Sequence, residues 1–149
     1  MKKLLKLCLL SVCFTVALNT AFAAESTILI NGTEAHIAPE MGSVKNFSDR
    51  TFVPVRFVLE YFGFSVTWDS NEQLVLGRNS GGDVFLMQVS NPVLAIKYAD
   101  GSLKNIEMDV SPVLVPEEGR TYIPVRFLAQ AIGYQVGYDA LTGTVMLDK

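Results

Sequence analysis

Residues 50–69 read RTFVPVRFVLEYFGFSVTWD, and residues 120–139 read RTYIPVRFLAQAIGYQVGYD. The two stretches align at an offset of 70 without a gap, and nine of their twenty positions are identical. Similarity of that length marks one supersecondary unit used twice. Arg50-Thr51-Phe52-Val53 is short and extended. Pro54 stands where a helix opens, since the first helical turn does not need its missing N–H. Val55, Val58, Leu59 and Phe62 fall at i, i+3, i+4 and i+7, an apolar helical stripe. Gly63 suits a left-handed stop. Phe64 to Trp68 alternates as a strand, Asp69-Ser70-Asn71-Glu72 turns, and Gln73 to Leu76 returns. The second copy repeats each step. Arg120 leads in, Pro124 opens, and Val125, Leu128, Ala129 and Ile132 form the stripe. Gly133 closes, Gln135 to Tyr138 is a strand, Asp139 opens the turn, and Thr144 to Leu147 ends the unit.

Working outward, Thr27 to Ile30 and Glu34 to Ile37 flank Asn31-Gly32, a hairpin signal. Val84 to Val89, Val93 to Tyr98 and Leu103 to Met108 are further strands, with a turn at Ala99 to Ser102. These elements predict an α+β fold: small antiparallel sheets each packed on one helix, as a duplicated βαββ-type unit. Copy one covers about 26–80 and copy two about 83–149. Units near 60 residues are marginal alone, so the copies are expected to pack on each other.

The first 23 residues do not belong to that pattern. Lys2, Lys3 and Lys6 precede an apolar run from Leu7 to Leu18, and Ala21-Phe22-Ala23 supplies the small-x-small site of a signal peptide. The run is too short to span a bilayer, which takes roughly 20 residues. Cleavage is expected after Ala23, leaving residues 24–149 secreted, extracellular or at the cell envelope, with no stable membrane span. Leu10-Ser11-Val12-Cys13 is a poor lipidation site because Val12 precedes the cysteine. Residues 24–149 keep nine of the twelve Lys/Arg and all fifteen Asp/Glu, a formal net charge of −6. That balance, with no basic stripe, argues against nucleic acid and anionic lipid. Cys8 and Cys13 both fall in the leader, so the rest can form no disulfide or thiolate metal site.

The pattern Arg-Thr-x-x-Pro-Val-Arg-Phe, then Gly, then Val-x-x-Asp, resembles the copper amine oxidase N-terminal, or stalk, domain family. Ile28 to Gly32 and Met108 to Pro112 look like features of the same family. The resemblance covers 26–149. It implies a small antiparallel sheet wrapped on a helix, in exported proteins of mainly Gram-positive-type bacteria. It also implies an accessory role separate from the catalytic domain of the oxidases. No copper ligand or quinone cofactor carries over. The oxidase site needs three histidines and a modified tyrosine, whereas this chain has one histidine, His36.

Catalytic chemistry fails on inventory. There is no Gly-x-Ser-x-Gly elbow, and Gly81-Gly82 lacks the lysine and helix of a phosphate loop. Asp69 and Asp139 hold equivalent positions and resemble a carboxylate pair sharing a proton. Proteases of that kind follow each Asp with Thr or Ser and then Gly. Here Ser70-Asn71 and Ala140-Leu141 follow. An Asp opening a turn instead accepts from backbone N–H groups two residues on. Arg56 and Arg126 oppose the helix dipole, so each is expected to be a tether, to Asp69 and Asp139 or to a carbonyl; anion binding is the functional alternative. Phe64, Trp68, Tyr134 and Tyr138 lie on equivalent strands, as packing or as a platform for sugars. Phe57 and Phe127 lie roughly 150° from the stripe centre. They either pack the copies together, which the small size of each favours, or form an exposed interaction surface.

The expected function is that of an exported, non-catalytic binding or accessory module at the bacterial cell envelope. Its partner is an unknown protein or a cell-wall glycan, and no cofactor or metal is expected. A free secreted inhibitor or chaperone-like protein is the alternative. A hydrolase using Asp69 and Asp139 is the alternative of another class.

Overall fold

A computed structural model describes residues 27–149. The expected leader and its cleavage point after Ala23 lie outside the described residues. In chain order the elements are β1 (Ile28–Ile30), β2 (Thr33–Ala35), a short 3-10 turn at Pro39–Met41, β3 (Lys45–Phe47), β4 (Arg50–Pro54) and α1 (Val55–Tyr61). Then come β5 (Phe64–Asp69), β6 (Leu74–Asn79), β7 (Val84–Gln88), β8 (Val93–Lys97) and β9 (Leu103–Glu107). The chain ends with β10 (Val113–Val115), β11 (Arg120–Pro124), α2 (Val125–Ala131), β12 (Gln135–Asp139) and β13 (Thr144–Asp148).

Strand takes 48% and helix 14% of the described residues, so the expected α+β class is overturned. The protein is mostly β, with three sheets ordered β12-β13-β1-β2, β10-β11-β4-β3 and β5-β6-β7-β8-β9. Two physical reasons account for the difference. Each helix has only seven residues, about two turns, and cannot cover a sheet by itself. In addition, the strands do not stay within their own half. β4 pairs with β11, and β1 pairs in parallel with β13, so the sheets are neither separate nor wholly antiparallel.

The pairing of β4 with β11 organises the molecule. Its register is Phe52 opposite Pro124, Val53 opposite Ile123, and Pro54 opposite Tyr122. The offset of 70 relates Val53 to Ile123 and carries the pair Phe52–Pro124 onto the pair Tyr122–Pro54. A local two-fold axis therefore passes between Val53 and Ile123, perpendicular to the sheet, as in any antiparallel pair of equivalent strands. Alternation sends Val53 and Ile123 to the main core and Phe52 and Tyr122 to the opposite face, and all four are fully buried. Phe47 covers that second face, edge-on to Phe52 at 5.1 Å and to Tyr122 at 6.4 Å.

Pro54 ends β4 and caps α1 with φ −62° and ψ 121°, so the helix begins at Val55, one position later than expected. Pro124 does the same for α2. Beyond each helix, Gly63 and Gly133 adopt φ of 80° and 81°, which a β-carbon would strain. Asn31 and Gly32 both have positive φ, as the tight β1–β2 turn needs. A single core then runs through both halves, from Ile28 and Val53 to Leu128 and Leu147.

Candidate functional site

β5 alternates, and Phe64, Val66 and Trp68 form its core-facing row. Phe64, at the start of that row, is buried, while Trp68, at its end, is 38% exposed. Trp68 stands opposite Val75 of β6 and walls a groove of about 230 Å³. Arg56, Thr67, Thr121, Glu118 and Arg120 complete the rim. The groove is thus built from both halves: helix and hairpin from the first repeat, strand lead-in from the second.

A second groove, of about 720 Å³, has the same construction with the halves exchanged. Tyr138, 50% exposed and opposite Val145, stands where Trp68 stands. Arg126 replaces Arg56, and Thr51 and Arg50 replace Thr121 and Arg120. The two-fold axis between Val53 and Ile123 interchanges the grooves.

The edges of both grooves are held by cross-half bonds. Arg50 donates through Nε at 2.9 Å and Nη2 at 2.6 Å to Asp109 Oδ2. The Arg50 guanidinium holds the Asp109 carboxyl below its ordinary range, and the pair raises the Arg50 value in turn. Arg120 donates instead to two carbonyls, those of Glu40 and, at 2.9 Å, Glu118. Beneath it, the Glu118 carboxylate meets Lys45 Nζ at 2.6 Å and accepts from the buried Tyr122 hydroxyl. Lys45, and next Tyr122, draw the Glu118 carboxyl below its ordinary range. Burial, and then the bond to Glu118, pushes the Tyr122 phenol up to about 12.

The copper amine oxidase N-terminal domain matches residues 24–147. The chain belongs to that family. Stalk-type domains of this family are non-catalytic parts of amine oxidases. No curated protein and no solved structure matches the chain.

In this stalk-type domain the two equivalent aspartates are not brought together. Asp69 ends a strand of the five-stranded sheet, and Asp139 ends one of a four-stranded sheet. Asp69 Oδ1 accepts from Asn71 N at 2.9 Å and Glu72 N at 3.2 Å. Asp139 Oδ1 accepts from Leu141 N at 2.9 Å, and this bond lowers its pKa. The expected ion pairs to Arg56 and Arg126 are absent among the described residues. Arg56 faces Glu60 at 3.9 Å on its own helix, and the Arg126 charge adds slightly to the lowering of the Asp109 carboxyl without bonding it. Arg50 and Arg120 tether the halves instead, to partners 59 and 80 residues away. Nothing local in the sequence points to them, although both arginines recur at the offset of 70.

Phe57 is 8% exposed and belongs to the core, so it offers no interaction surface. Helix α1 touches β5 on one side and β4 and β11 on another, which buries more of its circumference than one stripe. Phe127 is half-buried against the same core. Besides Phe47 with Tyr122, aromatic contact between the repeats joins Phe62 and Tyr134, whose rings approach to 4.8 Å. His36 is exposed beyond β2. Among the described residues no group of three His, Cys, Asp or Glu could hold a metal ion.

Proposed function

We propose that this stalk-type domain is an exported, non-catalytic binding module of the cell envelope, and that the groove beside Trp68 holds envelope glycan. The carrying observation is a large aromatic ring left 38% exposed at the end of a core-facing row. A partly exposed indole offers an apolar plate for the C–H face of a pyranose. Around it, Arg56 and Thr121 provide hydrogen-bonding groups for hydroxyl and acetamido substituents. A few polar groups converging on an apolar wall is the usual composition of a small-ligand site. The formal charge of −6 over residues 24–149 favours a neutral polymer over an acidic one.

Co-sedimentation with purified peptidoglycan tests the reading. The wild-type chain should pellet with the wall material, at 50 mM and at 500 mM salt alike. Trp68→Ala should reduce the bound fraction about tenfold while leaving the thermal melt close to wild type. A wild-type protein that stays wholly in the supernatant would refute the proposal and favour a free secreted partner protein.

A further inference from the structure

The groove beside Tyr138 is the image of the Trp68 groove under the internal two-fold, and a two-fold carries a consequence for a directional ligand. We infer that the domain is a bivalent bridge, with a second glycan site at Tyr138 whose polarity is opposite to the first, so that it ties two glycan segments together. This rests on the glycan reading of the Trp68 groove.

Three observations support it. The pairing of Phe52 with Pro124 and of Pro54 with Tyr122 makes the relation between the grooves a rotation about an axis perpendicular to the sheet. Such an axis keeps both grooves on the same side of the sheet and reverses any direction lying in its plane. A straight polymer with distinct ends therefore cannot run in the same sense through both sites. Equivalent chemistry is also kept on both sides of the axis. Tyr138 for Trp68 preserves an exposed ring, Arg126 for Arg56 preserves the charge, and Thr51 for Thr121 preserves the hydroxyl. Finally, the Arg126 guanidinium has no direct ion pair or hydrogen bond among the described residues, so its donors remain available in the groove. The two sites are not equal. The second is the larger, and its phenol ring is smaller than an indole, so it should bind more weakly.

The grooves open at opposite ends of a strand pair five residues long. That length corresponds to roughly 17 Å, too far for one sugar ring to occupy both. Two segments held this close behave as a tethered pair, so affinity for a dense polymer should exceed that for an oligomer by about 10²-fold or more.

The test uses residues 24–149 with a soluble β-1,4-linked N-acetylglucosamine oligomer, followed by calorimetry, and with glycol chitin, followed by turbidity. Wild type should bind two oligomers per chain with unequal affinity and should cross-link the polymer. Trp68→Ala and Tyr138→Ala should each bind one oligomer and lose the turbidity. Arg126→Ala, an exposed rim change, should weaken the second site alone, and it serves if the Tyr138 variant folds poorly. One oligomer per wild-type chain, with Tyr138→Ala and Arg126→Ala both silent, would overturn the bridge and leave the Trp68 reading standing. No wild-type binding to the oligomer, to glycol chitin or to peptidoglycan would overturn both.

Discussion

Tyr122→Phe removes one oxygen atom from a site where its loss can be counted. Phe52 occupies the equivalent position across the two-fold without a hydroxyl, so the ring alone fits this layer. The Tyr122 hydroxyl donates to the Glu118 carboxylate and lies 3.5 Å from the Ser43 N–H. A hydrogen bond to a charged group is worth about 1.5–3 kcal/mol. Lys45 stays 2.6 Å from Glu118 after the change, so the carboxylate is not orphaned, and the lower end of that range applies. The Ser43 contact is too long to add much. The expected loss is therefore about 1.5–2 kcal/mol at pH 7, measured by urea denaturation. The same phenol supplies a second reading. Its pKa is raised from 10.0 to about 12 in the folded chain. A raised value means that its contribution is fully present below pH 10 and is lost as pH climbs toward 12. Between those values the native state keeps a proton that the unfolded chain has released, which costs about 1.4 kcal/mol per pH unit. The Phe variant lacks that slope, so the two stability curves should converge near pH 12. A difference under about 0.5 kcal/mol at pH 7, with parallel alkaline limbs, would refute the reasoning.

Phe57→Ala should cost about 3–5 kcal/mol, the range for a fully buried aromatic, and half-buried Phe127→Ala clearly less, both by urea denaturation. Equal losses at the two positions would contradict the unequal burial. Gly42→Ala should be worse than Gly63→Ala or Gly133→Ala. All three have positive φ, but only at Gly42 would the β-carbon lie 2.5 Å from the Tyr122 hydroxyl. The latter two should cost about 1–2 kcal/mol each, from backbone strain alone. After dialysis the purified chain is expected to hold no stoichiometric copper or zinc and to oxidise no amine, and one tightly held copper per chain in metal analysis would overturn this. The exported form should begin at Ala24 by N-terminal sequencing; an intact Met1 on all of the protein would count against export.

Much of the local structure was legible from residue order because its causes are local. Asn31-Gly32 turns a hairpin since both residues tolerate positive φ. Pro54 and Gly63 bracket a helix, and their counterparts Pro124 and Gly133 bracket another, because one lacks an N–H and the other lacks a β-carbon. Asp69 and Asp139 hold turns through bonds two residues long. The offset of 70 was likewise visible, and with it the candidates Trp68 and Tyr138. What residue order could not settle was which strand lies beside which. Period-two alternation assigns faces but does not name neighbours, so β4 with β11 and β1 with β13 had to come from the tertiary structure. The same non-local choice decided the fold class, buried Phe57 on the side of α1 away from its stripe, and paired Arg50 with Asp109 across 59 residues. It also made the grooves, since each needs a helix from one repeat and a strand lead-in from the other. A repeat fixes two equal parts, but only packing, which must bury both halves at once, decides the axis that relates them.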